Sequence, residues 1–259
     1  APVRVVVPPP GALPLWPPLL ATRGPGGATG RHAHHAMHIV MAFDGTLRTD
    51  WGEGVRQAAG VVTAPDVPHA IDGRGVEVLL VFLDPESDAG AALFERIGGA
   101  ARCLDADERD ALAPRSADPM RLMQGDGVAW TRHAVGVLGG RRNGSEPARR
   151  RVHPRVRRLL RHLRTLSVNA DASLESLASV AGVSRGRLMH AFTESIGIPL
   201  RPYLAWLKLQ RAAAGVAAGK PFAQVAVGAG FADAAHMTRA FRRMFGTTPS
   251  ALRPRAPSR

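Results

Sequence analysis

Short β-prone apolar runs fill the first third of the chain, and apolar positions with a helical spacing fill the last. Between Met37 and Phe82 the runs MHIVMAF, GTLRTDW, GVVTAP, HAI and VEVLLVFL are separated by Asp-Gly, Gly-Glu-Gly and Pro-Asp turns. Asp44-Gly45, between two of them, predicts a hairpin. Several short strands at this spacing predict a small β-barrel or a double-sheet jelly roll. The preceding Pro- and Gly-rich stretch contributes a short strand at Val5–Val7. After Pro85 the pattern turns helical, over Asp88–Ile97, Asp107–Ala113 and Asp118–Leu138, the last interrupted by two glycines. The polar, Gly/Pro-punctuated stretch RRNGSEPARRRVHP, residues 141–154, reads as a linker.

Every later element reads as helix. Val156–Leu166 opens the region. Leu174–Ala181 follows, with Leu174, Leu177, Ala178 and Ala181 on one face, Ser173 as N-cap and Gly182 at its end. Ser184 caps the next helix, which buries Leu188 and Phe192. Pro202–Ala217 is a long connecting helix with Leu204, Leu207, Leu209 and Val216 as its core positions. Pro221 begins another, and Asp233–Phe245 buries Met237, Phe241 and Phe245. Two segments of this region share a skeleton: Gly182 with Gly230, Leu188 with Met237, Phe192 with Phe241, Gly197 with Gly246 and Pro199 with Pro249. In each, a short helix runs into a glycine turn and a second helix carries the basic residues. That is the signature of a helix-turn-helix unit, present twice, and two such units grip double-stranded DNA at two places.

Charge sharpens this picture because it is partitioned. Residues 149–259 hold 20 Lys and Arg against 4 acidic residues, a net of +16, while residues 1–148 hold 14 against 17, a net of −3. A polyanion is the natural partner of the second half, since every neutralised phosphate releases condensed counterions. The single cysteine, Cys103, excludes an internal disulfide framework and suits a reducing compartment. The longest apolar run, Val78–Leu83, is too short for a bilayer, and the N-terminal stretch lacks a signal peptide's apolar core, so the expectation is a soluble cytoplasmic protein.

At these residues the chain resembles the DNA-binding domain of the AraC/XylS family of bacterial transcription regulators, over Val156–Arg253, most specifically in a Pro-initiated helix, Gly-Phe and RAFRRMFGTTPSALR. The resemblance implies two recognition helices entering successive major grooves of promoter DNA, held apart by the connecting helix. It places base-facing positions at Arg185, Gly186, Met189 and His190 in the first recognition helix, and at Ala234, Ala235, His236 and Arg239 in the second. Gly186, Met189, Ala234 and Ala235 cannot bond bases bidentately, so hydrogen-bonded readout falls to Arg185, His190, His236 and Arg239. Arg187, Arg242 and Arg243 are expected on phosphates. The unlike surfaces of the two helices predict an asymmetric operator.

The stretch GRHAHHAMHIVMAFDG carries His32, His34, His35 and His38, and PDVPHAI adds His69. A His-x-His pair entering a strand, followed by Pro-x-x-x-His, resembles the two cupin motifs, as found in the small sensor domains that precede AraC-type DNA-binding regions. In a strand, His32, His34 and His38 share a face and converge with His69 in a barrel mouth. Neutral imidazoles suit Zn, Cu, Ni or Fe. The metal-binding cupin pattern adds a carboxylate a few residues after the His pair, and none lies between His32 and Phe43. His32, His34, His38 and His69 therefore stand as an effector pocket, a site for a divalent transition metal, or structural histidines. The helices from Asp88 to Leu138, including MRLMQ and VGVL, either associate as a homodimer or cover the barrel.

The chain thus reads as an α+β multidomain regulator. Residues 1–140 form a cupin-like small β-barrel with following helices, 141–154 a linker, and 155–254 an all-α domain of two helix-turn-helix units joined by a long helix. It is expected to be no enzyme, with promoter DNA, a small-molecule or metal effector and RNA polymerase as partners. The rival reading is a metal-dependent cupin enzyme or metal-sensing protein with a nucleic-acid-binding tether. A lone architectural DNA binder without an effector is the third.

Overall fold

The computed structural model describes residues 19–119, 122, 127–139, 152–166, 170–245 and 248–253. The strand expected at Val5–Val7, the linker over 141–151 and all of the Met120–Gln124 segment except Leu122 lie outside them. The chain divides into two compact units, one containing residues 148–237 and the other residues 17–147 with 238–259; the division falls inside the last long helix.

The first unit in chain order is built on eight strands: β1 (Leu19–Pro25), β2 (Met37–Ala42), β3 (Leu47–Asp50), β4 (Arg56–Ala58), β5 (Gly60–Thr63), β6 (Ala70–Asp72), β7 (Glu77–Leu83) and β8 (Ala101–Leu104). They form two antiparallel sheets, β1-β7-β2-β5-β8 and β4-β3-β6. Register sorts the side chains of the larger sheet. Met37, Ile39 and Met41 stand opposite Leu83, Val81 and Leu79 on β7, whereas His38, Val40 and Ala42 stand opposite Phe82, Leu80 and Val78. Opposed residues share a face. The Met37–Ile39–Met41 face packs against Leu93 and Ile97 of α1 (Asp88–Ile97), Leu112 of α2 (Ala106–Leu112) and Ala134 and Leu138 of α3 (Gly127–Gly139). The Val40–Ala42 face packs against Leu47 of β3 and Ile71 of β6. A sheet covered on both faces needs no polar positions, which is why MHIVMAF and VEVLLVFL read as nearly continuous apolar runs.

Asp44-Gly45 does not close a hairpin. Gly45 takes φ 74°, as a turn glycine does, but the strands on its two sides belong to different sheets, β2 pairing with β5 and β7 while β3 pairs with β4 and β6. The turn hands the chain from one sheet to the other. β1 and β8 had no counterpart in the sequence pattern. β1 is an edge strand carrying Arg23 and ending at Pro25, and edge strands tolerate both. β8 is the opposite edge, with Arg102 and Cys103 half-buried.

Among the described residues, the second region has six helices, α4 (Pro154–Thr165), α5 (Leu174–Ala181), α6 (Arg185–Ile196), α7 (Leu200–Ala217), α8 (Phe222–Gly228) and α9 (Ala234–Phe245), followed by a 3₁₀ turn at Pro249–Leu252. Proline opens α4, as its missing N–H costs nothing in a first turn. Ser173 and Ser184 accept hydrogen bonds from Ser176 N–H and Arg187 N–H, so both expected N-caps are in place. α7 runs 18 residues, roughly 27 Å at ~1.5 Å per residue. Its core positions are Tyr203, Trp206, Leu207, Leu209 and Val216, whereas Leu204 is only half-buried. None of the described helices is long and apolar enough to cross a membrane.

The first glycine pair of the duplicated skeleton does the same work in both units. Gly182 and Gly230 take φ 67° and 82°, and the residues after them, Val183 and Phe231, donate N–H back to Ala178 O and Ala226 O. This left-handed closure ends one helix and aims the next. At Gly182 a Cβ would also meet Arg155 Nη1 at 2.5 Å, and that guanidinium donates to Gly182 O at 2.9 Å. Gly182→Ala is therefore expected to destabilise the helical region by about 1–2 kcal/mol, with Gly182→Asn milder because asparagine visits the left-handed region. Urea denaturation of the two variants checks the order; equal losses would mean that Arg155 displacement, rather than φ, sets the cost.

Candidate functional sites: two helix faces and a histidine cluster

α6 and α9 are built alike from the turn outwards. Ser184 caps the first; Asp233 Oδ1 accepts from His236 N–H at 2.6 Å at the start of the second. Leu188 and Phe192 of α6 are buried, as are Met237 and Phe241 of α9. Burial of these positions turns the remaining face outward. Arg185, Gly186, Arg187, Met189 and His190 are exposed on α6, and Ala235, His236, Arg239, Arg242 and Arg243 on α9, while Ala234 is half-buried. Met189 stays 48% exposed, an apolar side chain that the helix core does not use. Apart from Ala234, every residue singled out for contact with DNA thus lies on a solvent face.

The two faces differ in their surroundings. Arg185 Nη1 lies 4.0 Å from Glu175 Oε2, both side chains well exposed, a pairing worth little in water. On α9 the His236 ring meets Phe231 edge-on at 5.3 Å, so it is braced against the turn that precedes its helix. The acceptor and donor atoms of α6 and α9 thus start from unlike scaffolds, although the turns that carry them match.

The second site lies in the sheet-rich unit. His32, His34, His38 and His69 are all buried. Only His38 sits in a regular strand, on the β2 face that Val40 and Ala42 continue between the sheets. His32 and His34 precede β2, so shared strand parity is not what brings them together. A two-residue bridge is: His32 N–H donates to His69 O at 2.9 Å and His69 N–H returns to His32 O at 2.8 Å. His38 stacks flat on its cross-strand partner Phe82, with centroids 4.3 Å apart and planes within 6°. Its Nδ1 lies 3.3 Å from His34 Nε2 and 3.2 Å from His69 Nε2. Among the described residues, His32, His34 and His69 are the three that can offer ligand atoms within 4.8 Å of one another.

Electrostatics keep this cluster neutral. Burial holds the His34 and His38 imidazoles well below their ordinary value, neighbouring imidazoles adding to the effect. Burial also pushes His69 down to about 4, against the opposing pull of the Val67 carbonyl, and lowers His32 against that of Gly30. His35, adjacent in sequence, behaves oppositely. It is equally buried, which alone would lower it, yet it is held at 2.7 Å by Asp66 Oδ2 and 2.8 Å by Glu86 Oε1, and these bonds raise it to about 9. His35 is thus a buried cation tying three segments of the unit together, a role the sequence pattern did not suggest. The only available signal was its parity, opposite to that of His34.

A helix-turn-helix domain family matches residues 177–255. The fold resembles that of ToxT from Vibrio cholerae O395, at 10% identity over 90% of this chain and 95% of that one, with a TM-score of 0.56. It also resembles unsaturated-fatty-acid-bound ToxT from Vibrio cholerae strain SCE256, at 10% identity over 90% and 94% of the two chains, with a TM-score of 0.57. The C-terminal domain of AraT, a response regulator from Geobacillus stearothermophilus, is 25% identical over 40% of this chain and 86% of its own, with a TM-score of 0.37. The family match falls on the two glycine-turned helix pairs, so residues 177–255 form a helix-turn-helix domain, and the chain as a whole has a ToxT-like fold.

Proposed function

We propose that the protein recognises an asymmetric promoter site by placing α6 and α9 in successive major grooves, and that its sheet-rich domain, residues 1–140, senses an effector in the histidine-lined interior. A linker over 141–154 joins it to a DNA-binding domain over 155–254. The observation that carries the reading is the matched construction of the two helices: same turn, same buried pair, and outward faces of unlike chemistry. Arg185, Met189 and His190 on α6, and Ala235, His236 and Arg239 on α9, take the base edges; Arg187, Arg242 and Arg243 take phosphates. Methionine and alanine contribute by apolar contact with thymine methyl groups. Regulation then requires the effector to prefer one arrangement of the protein over another. ToxT, whose fold this chain resembles, has a crystal structure with unsaturated fatty acid bound, which supports looking for a small-molecule effector.

Mapping genomic fragments bound by the full-length protein, followed by footprinting, tests the reading. Protection of two patches about one helical turn apart on one face of the duplex is expected, with different sequences in the two patches. A single protected groove, or two identical half-sites within the footprint of one protomer, would contradict it. Genes beside the bound sites would narrow the effector.

A further inference from the structure

We propose that His32, His34, His69 and His38 form an all-imidazole site for a first-row transition-metal dication, so that the effector is a metal ion; this rests on the sensing role proposed above. Hydrogen bonds assign the tautomers. His32 Nδ1 lies 2.8 Å from Gly30 O and His69 Nδ1 lies 2.8 Å from Val67 O. A carbonyl only accepts, so each Nδ1 carries the proton and each Nε2 is left with a lone pair. His34 turns Nε2 towards His38. Ligating histidines in metal sites are oriented as His32 and His69 are, by donating the other ring N–H to a carbonyl.

The spacing at which His38 hydrogen-bonds to its two neighbours also suits a shared cation. A tetrahedral ion with metal–nitrogen bonds of about 2.0–2.1 Å puts its ligand atoms roughly 3.4 Å apart. The His38 Nδ1 distances of 3.3 and 3.2 Å to His34 and His69 approach that edge, and the spread of up to 4.8 Å among His32, His34 and His69 closes with sub-ångström to ångström movements. His38 Nε2 has no hydrogen-bond partner among the described residues, and Nδ1 is the atom that faces His34 and His69. The His32–His69 bridge and the stack of His38 on Phe82 hold three of the four rings before any ion arrives.

His38 is also the answer to the missing carboxylate. It occupies the stretch between His34 and Phe43 in which no acidic residue occurs. Four neutral nitrogens without an oxygen anion select Zn(II), Ni(II), Cu(II) or Co(II) over Mg(II) and Ca(II), which take oxygen ligands.

The full-length protein, purified without a histidine tag and stripped with a chelator, is titrated with Zn(II) and separately with Co(II). One dication per chain is expected, with the intense visible absorption of four-coordinate Co(II). His34→Ala and His69→Ala should each weaken Zn(II) binding about 100-fold or more, and His38→Ala should weaken it and replace the Co(II) bands by the faint ones of higher coordination. Circular dichroism confirms that each variant is folded, and the wild-type Co(II) spectrum stands independently of them. No stoichiometric binding, or binding unchanged in His34→Ala and His69→Ala, would overturn the site. If Zn(II) binds there but leaves promoter affinity unaltered, the site is upheld and the sensing role fails. If a small organic compound shifts promoter affinity while no metal binds, the sensing role is upheld and the metal site fails.

Discussion

Trp206→Ala is expected to lower the stability of the helical region by about 3–5 kcal/mol. Trp206 is 1% exposed and heads the largest fully buried side chains among the described residues. It projects from α7, which packs on α6 and also on α8, so its loss opens a void in the element shared by both helix-turn-helix units. An indole leaves more volume than neighbouring helices can collapse into, and the cost combines lost transfer energy with the unfilled cavity. Domains are stable by only about 5–15 kcal/mol, so the variant should unfold well below the wild-type temperature and show weakened DNA binding as a consequence. Trp206→Phe, which keeps most of the apolar volume, should recover more than half of the loss. Urea denaturation followed by circular dichroism measures both. A loss under about 1 kcal/mol for the alanine variant would show that α7 tolerates a void there.

How much of this was legible in the sequence depends on the range of the interaction. The glycine turns at Gly182 and Gly230, the Ser173 and Ser184 caps and the buried pairs Leu188–Phe192 and Met237–Phe241 are all set within a few residues of each other, and the pattern alone located them. On α7 the same reasoning favoured Leu204, which is half-buried, and passed over Trp206 and Tyr203; helical spacing names a face only to within one position. Strand pairing is less local. Asp44-Gly45 has hairpin chemistry, but the partners of β2 are β5 and β7, brought in by contacts no dipeptide encodes. The histidines show both limits together. Their types and number pointed to one site, yet the convergence comes from the bridge between His32 and His69, and the function of His35 from two carboxylates, Asp66 and Glu86, distant in sequence.

Arg239→Ala carries the other large expectation, a loss of about 1–3 kcal/mol in operator binding, or roughly 5- to 150-fold in Kd, together with relaxed preference at one base pair. Arg239 lies one turn beyond the capped start of α9, on the exposed side and adjacent to His236 at helical spacing. Its planar fork can satisfy both acceptors of a guanine edge, which no other side chain on α9 facing that row can do. Arg242 and Arg243 stand a further turn away, in the last turn of the helix. Their replacement by alanine should weaken all sequences alike and lower the slope of log affinity against log salt by about 1 each. The two classes are therefore separable by titrating operator and random DNA at several salt concentrations. Arg185→Ala should resemble Arg239→Ala but act on a different base pair, because Arg185 occupies the first residue of α6 whereas Arg239 lies in the second turn of α9. The operator positions that each variant relaxes should consequently not be related by symmetry. Should Arg239→Ala instead weaken operator and random DNA equally and flatten the salt slope, Arg239 would be a phosphate contact, and sequence reading by α9 would rest on His236, the side chain already braced by Phe231.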